Sequence, residues 1–227
     1  MEQTQIDTFV KEQIEKWKQR IAEKQTASAL LRQVVTVSTE PGSGGRIVGE
    51  KVARQLHFDF FHRDIIKAVS ESSRMSDQVI ESLERERLTG VEDFISSLIK
   101  DKYMYPGDYL RHLMKVMGTI ARHGRAVIVG RGANFILPAD KQFSVRVICP
   151  QEERVKNVAR TFDVSLEEAR QRVIRRESRR RAFVRQSFNA DISDPLHYDM
   201  VLNTSRIGID AAVAAVVSAL KVNVGDS

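Results

Sequence analysis

Apolar residues recur at three- and four-residue steps near the start of the chain: Ile6, Phe9, Val10, Ile14, Trp17 and Ile21, with Lys, Glu and Gln between them. That spacing predicts an amphipathic helix over residues 6–24. Two uses are open to it: docking on the rest of the chain, or offering a dimerisation or partner face. The main domain begins near Leu30. Val34 to Ser38 is a β-branched run and predicts a buried strand, which ends in a glycine-rich loop from Thr39 to Arg46. Ile47, Val48, Val52, Ala53 and Leu56 then follow at helical spacing, and Phe58 to Phe61 predicts a second strand.

From Asp64 to about His123 the pattern is helical. Ile65, Ile66 and Val69 open it, and Val79, Ile80, Leu83 and Leu88 continue it after a candidate cap at Ser76. Phe94, Ile95, Leu98 and Ile99 come next, then a break at Pro106-Gly107 and a run from Leu110 to Ile120. Ala126 to Gly130 predicts a third strand, Ser144 to Ile148 a fourth and Asp199 to Asn203 a fifth. Between the last two lie a helix over Glu152 to Arg160 and a second one opened by the capping box Ser165-Leu-Glu-Glu168. A helix over Ile209 to Leu220 closes the chain. Strands separated by helices imply an α/β fold with a mostly parallel sheet covered on both faces.

Composition narrows the class. The 227 residues suit one α/β domain with a small appendage. A single cysteine, Cys149, excludes a disulfide scaffold, and the five histidines show no paired metal-ligand spacing. The apolar stretch at 209–220 is shorter than the roughly 18 residues that span a bilayer and carries Asp210. The charged N-terminus lacks the apolar core of a signal peptide. These features predict a cytoplasmic protein without a membrane partner.

The net charge of +6 is mostly arginine, 24 residues against 12 lysines. Arginine grips phosphate or carboxylate with a planar fork, so the bias leans towards a phosphate-bearing ligand; salt-bridged helices are the plainer explanation. Three places concentrate the chemistry. The loop Gly42-Ser-Gly-Gly45 sits between a strand and a helix, where backbone N–H groups and the helix N-terminus favour phosphate. It departs from a Walker A loop, with Thr39 at the first glycine position, Gly45 at the lysine and Arg46 at the hydroxyl residue. Gly130-Arg131-Gly132 ends the third strand and would share that cleft if the two strands are neighbours. Eight arginines lie in residues 170–185, with Arg172, Arg176 and Arg179 or Arg180 along one helical face. Glu168 and Glu177 offset Arg172 and Arg181 at i, i+4. The remainder reads as a basic helix closing over polyphosphate, or as a solvated or nucleic-acid-binding face.

The ordered set resembles the cytidylate-kinase-like branch of the P-loop nucleoside monophosphate kinases over about residues 33–222. The likeness rests on Val34 to Ser38, Gly42-Ser-Gly-Gly-Arg46, Phe60-Phe-His-Arg-Asp64, Val127 to Asn134 and Tyr198 to Ser205. It implies a three-layer P-loop NTPase-type fold with a parallel five-stranded sheet. A kinase-like domain, 30–227, would follow an N-terminal amphipathic helix extension, 1–29. A helical monophosphate-binding insertion would span about 64–123, and an arginine-rich lid about 161–190. The implied reaction moves the γ-phosphoryl of ATP, carried with Mg2+, to a nucleoside monophosphate such as CMP. Gly42, Ser43, Gly44 and Gly45 would hold the ATP phosphates, with Arg46 in place of the usual lysine charge. Arg131, His62 and Asp64 would serve the acceptor. Arg176, Arg180 and Arg185 would close from the lid, and Asn203, Thr204 and Ser205 would lie near the donor base. The metal ligands stay unassigned, with Ser43 as the nearest hydroxyl.

Three functions are thus in play. A kinase would use the arginine lid on the transferring group. A nucleotide-binding sensor without phosphoryl transfer would explain the missing loop lysine and hydroxyl. A nucleic-acid-binding protein would use the 170–185 run, but only Phe183 there offers a stacking platform, and aromatic residues make up just 7% of the chain.

Overall fold

The computed structural model describes residues 3–22, 34–82 and 107–222. The sequence expectations at Leu30, Leu83, Leu88, Phe94, Ile95, Leu98, Ile99 and Pro106 lie outside these residues. Five parallel strands form one sheet in the order β2-β3-β1-β4-β5. They are β1 (Val34–Thr39), β2 (Asp59–His62), β3 (Ala126–Val129), β4 (Gln142–Ile148) and β5 (Met200–Asn203). β1 is central, so the loop that follows it opens at the middle of the sheet's carboxyl edge.

The period-two alternation of the strands divides the core in two. Val34, Phe61, Ala126 and Ile128 face one layer, built from α3 (Arg63–Glu71), α4 (Ser73–Glu81) and α5 (Asp108–His123). Val35, Val37, Val127, Val129, Val145 and Val147 face the other, against α2 (Gly45–Leu56) and the C-terminal helix. After β3 come a single helical turn, α6 (Ala133–Ile136), and a short 3-10 turn at Ala139–Lys141. After β4 the chain makes a helical hairpin, α7 (Gln151–Phe162) and α8 (Leu166–Phe188). This hairpin has its own small core of Val155, Val158, Ala169 and Val173. Ser165 caps α8 by accepting from the Glu168 amide at 3.1 Å, as the capping box predicts.

Some boundaries differ from expectation. The cap of α4 is Ser72, which accepts from the Met75 amide, while Ser76 is buried inside the helix. β4 starts at Gln142 because its side chain is bonded to Thr36 and to the carbonyls of Asn134 and Leu137. The closing helix α9 (Thr204–Val222) begins five residues early and is broken at Gly208, where φ is 75° and ψ 170°.

The N-terminal helix α1 (Gln3–Ala22) docks on its own chain. Ile6, Val10 and Trp17 are buried in the same layer as α3–α5. Trp17 stacks on His123 with ring centroids 3.9 Å apart and donates to Asp59 at 3.3 Å. Arg20 grips the same carboxylate through two bonds of 2.8 and 2.9 Å. Ile6, Val10 and Trp17 of that apolar face are thus packed within the chain, the first of the two uses open to the helix. Among the described residues no helix is long and apolar enough to cross a membrane.

Candidate functional site

Backbone geometry shapes the loop after β1. Gly42 and Gly44 have φ of 84° and 78°, a region costly for residues with a Cβ. A Cβ at Gly42 would lie 2.5 Å from the Arg154 carbonyl oxygen. Ser43 is buried, its Oγ 2.8 Å from Thr39 Oγ1 and within hydrogen-bond range of the carbonyls of Glu40 and Val147. Its hydroxyl, the one nearest to a metal role in the sequence, braces the loop from inside. Asn157 donates to the Gly42 carbonyl, and Thr204 donates to the Ser43 carbonyl at 2.8 Å. Gly45 opens α2, so the helix N-terminus follows directly, as a phosphate cradle requires.

A second layer of contacts ties the loop to the helical hairpin. Glu40 accepts from the Cys149 amide at 3.0 Å and lies 3.4 Å from Arg154 and 3.7 Å from Arg146. Arg154 also pairs with Glu177 of α8 at 3.0 Å and donates to the Cys149 carbonyl. Arg146 donates to Ser38 at 2.9 Å and lies over the Tyr198 ring. Burial raises the Cys149 thiol pKa, so it stays protonated.

Onto this frame converge five arginines. β1 and β3 are hydrogen-bonded neighbours, Val37 beside Val129, so the turn Gly130-Arg131-Gly132 lies next to the loop. Arg180 of α8 donates to the Thr39 carbonyl. Burial, followed by the charges of Arg63, Arg176, Arg146 and Arg131, pushes its pKa down to about 10. Arg176 is lowered in the same way, first by burial, then by Arg63 and Arg172. Burial with neighbouring cations around it makes a place where an anion is welcome.

The sequence reading of the site meets this geometry unevenly. Arg131, Arg176 and Arg180 come together. Arg46 is exposed on the first turn of α2 and acts on His62 instead. His62 is buried at the end of β2, where it caps α3 by accepting from the Asp64 amide at 3.2 Å. Burial, then Arg46, lowers its pKa. Asp64 is half exposed and paired with Arg63 at 3.2 Å. Arg185 is exposed on the last turn of α8. Asn203 and Ser205 bond to each other, and Thr204 alone touches the loop. Two members of the arginine cluster went unassigned from sequence, Arg63 and Arg146. Arg63 stands beside His62 and Asp64, and Arg146 is the one charge in the apolar run of β4. A buried cation amid strand valines is the signal that marks it.

Comparison with known proteins identifies the family and the fold. A family model described as the cytidylate kinase-like family matches residues 34–206. The cytidylate kinase of Ignicoccus hospitalis is 26% identical over 183 residues, covering 81% of this chain and 96% of that protein. The cytidylate kinase of Pyrococcus horikoshii is 25% identical over 189 residues, covering 82% and 88%. Among solved structures, an uncharacterized protein from Eubacterium ventriosum superposes with a TM-score of 0.58 at 16% identity, covering 83% of this chain and 98% of that one, a likeness of fold.

Proposed function

The chain belongs to the cytidylate kinase-like family, and from that premise we propose that it transfers the γ-phosphoryl group of ATP to a nucleoside monophosphate of the CMP type. The observation that carries this reading is the set of five arginines, Arg63, Arg131, Arg146, Arg176 and Arg180; burial, and after it the charges of the other four, lowers the pKa of Arg180 to about 10. Such an arrangement suits the spread negative charge of a transferring phosphoryl group, for which positioning and charge neutralisation are the main demands. The relatives named cytidylate kinase support the acceptor class.

In this mechanism the amides of the 42–45 loop and the N-terminus of α2 receive the donor phosphates. Arg176 and Arg180, held on α8, lie over the γ-phosphoryl group, and Arg180 keeps its place through the Thr39 carbonyl. Arg131 holds the acceptor phosphate beside them. Asn203 to Ser205 border the donor base from the β5 edge. The acceptor oxygen takes the phosphoryl group and ADP leaves. Of the range 64–123, α3, α4 and α5 stand on the acceptor side, and roughly 161–190 is the lid.

Magnesium is expected to travel with ATP and to screen its phosphates. No cluster of three or more His, Cys, Asp or Glu could hold a metal among the described residues. A nucleotide-borne magnesium needs only one or two carboxylates. Asp64 fits that need, half exposed and close enough to Arg176 for its charge to act there.

A second reading, a nucleotide-binding regulator without transfer, is favoured by Gly45 at the lysine position and by the inward-turned Ser43 hydroxyl. The deciding experiment incubates the protein with MgATP and CMP, UMP, AMP or GMP and follows diphosphate formation. Product from one of them is expected. ATP binding by calorimetry without product would favour the regulator, and absence of both would overturn each reading.

A further inference from the structure

Two buried polar atoms beside the arginine cluster have no partner. The Tyr109 hydroxyl, on the first turn of α5, and Arg131 Nε are both shielded from solvent, and neither makes a hydrogen bond. The two groups are brought together because α5 packs on α6, the helical turn that continues from Gly132, with Leu110, Ala133 and Ile136 in one apolar cluster, and Arg131's charge acts on the Tyr109 phenol. Leaving a buried donor unpaired costs about 1–3 kcal/mol, so two in one place call for an explanation. Gln13, Ser70, Ser76 and Thr119 are also unpaired, but they lie within helices of the apolar layer. Asn134 Nδ2 is unpaired as well, on the helical turn that follows Gly132.

The backbone beneath Arg131 is also unusual. Gly130, Arg131 and Gly132 have φ of 86°, 55° and 69°, three consecutive residues in the left-handed region. An arginine held there carries a conformational cost that ordinary turns avoid. Its charge also reaches Arg180, so the turn faces the same cleft as α8.

We infer that the Tyr109 hydroxyl and Arg131 Nε together hold one phosphate group of the acceptor nucleotide, an inference that rests on the monophosphate-kinase reading. Both groups are donors, neither is bonded to the other, and a phosphate oxygen supplies the acceptor that both lack. Burial raises the phenol's pKa, so Tyr109 remains a protonated donor throughout the neutral range. The phenol adds a donor without adding charge to a cluster already crowded with cations. Tyr109 is thereby a binding residue for the acceptor, supplied by the helical layer rather than by the loops of the sheet.

The test compares wild type with Tyr109→Phe, which removes only the hydroxyl. Calorimetry measures CMP and ATP binding, with UMP, AMP and GMP run alongside, and thermal unfolding is recorded without ligand. The expected result is an approximately tenfold weaker Kd for the monophosphate, an unchanged Kd for ATP, and an unliganded Tm that is equal or higher. A merely structural hydroxyl would instead lower the unliganded Tm. Monophosphate binding by the wild type that Tyr109→Phe leaves unchanged overturns the assignment of Tyr109 and leaves the kinase reading standing. Failure of the wild type to bind any of the four monophosphates overturns that reading as well.

Discussion

Arg180 donates to the carbonyl of Thr39, so the basic helix α8 is anchored to the residue from which the glycine loop departs. The guanidinium reaches that carbonyl by giving up solvent and entering the field of four other arginines, and burial first, then those charges, brings its pKa down to about 10. Position is thus secured against electrostatic resistance. Such resistance is typical of a group placed for a ligand rather than for the resting fold.

Arg180→Gln is therefore expected to divide activity from stability. Loss of one charge aimed at the transferring group should lower kcat/KM by about 10²–10³-fold. The unliganded protein should keep or gain Tm, because a repelled cation has gone. Steady-state kinetics and thermal unfolding on the same preparation check both halves. A large fall in Tm would show Arg180 to be structural.

The strap formed by α1 gives a second prediction. Asp59 is buried, and Arg20 and Trp17 are its partners. Arg20→Ala leaves a buried carboxylate short of its cation, and such losses cost about 3–5 kcal/mol when both partners are buried. Arg20 is a quarter exposed, so about 2 kcal/mol is expected. Urea unfolding of Arg20→Ala, Asp59→Asn and the double variant checks it. The double variant should be less impaired than the two single losses added together.

His62 makes stability pH-dependent. Its folded pKa lies below the ordinary 6.5, so the unfolded chain binds the proton more readily. Its contribution is whole above pH 6.5 and is lost as the pH falls from there through the lowered folded value. Protonation also converts the Nδ1 that caps α3 from an acceptor into a donor. Unfolding free energies at pH 7.5 and 5.5 should differ more for the wild type than for His62→Asn, which keeps a capping oxygen without titrating. Equal slopes would remove His62 from the account.

Gly42→Ala should damage the loop itself. The new Cβ meets the backbone oxygen of Arg154, which no rotamer change can relieve, at a residue whose φ is 84°. A cost of about 1–3 kcal/mol is expected. ATP affinity should fall with it, since the Gly42 amide belongs to the proposed phosphate cradle. Calorimetry with ATP and thermal unfolding measure the two effects separately.

Much of this was readable in the chain. The central strands announced themselves because buried parallel strands are short β-branched runs, as in Val34 to Val37 and Val127 to Val129. The loop was visible because positive φ demands glycine at 42 and 44. The arginine run gave away α8, but periodicity alone could not choose which of its faces meets the loop; Glu177, bonded to Arg154, does that. The placing of Arg63 and Arg146 depended on β2, β3, β1 and β4 lying side by side, a matter of strand order that no local pattern encodes. The fate of α1 was equally hidden, because its apolar stripe fits its own domain as well as a second copy. What docks it here is Asp59, far along the sequence yet bonded to both Arg20 and Trp17.

The four apolar side chains between α7 and α8 bear on how a ligand is received. They hold α8 in place against α7, and within α8 the helical repeat fixes the spacing between Arg176 and Arg180 before any ligand arrives. The hairpin is in that sense a ruler with charges at set graduations. An anion whose oxygens match the graduations meets guanidinium groups already ordered, so little entropy is lost in lining them up. One of another size meets the same ruler and finds the marks in the wrong place.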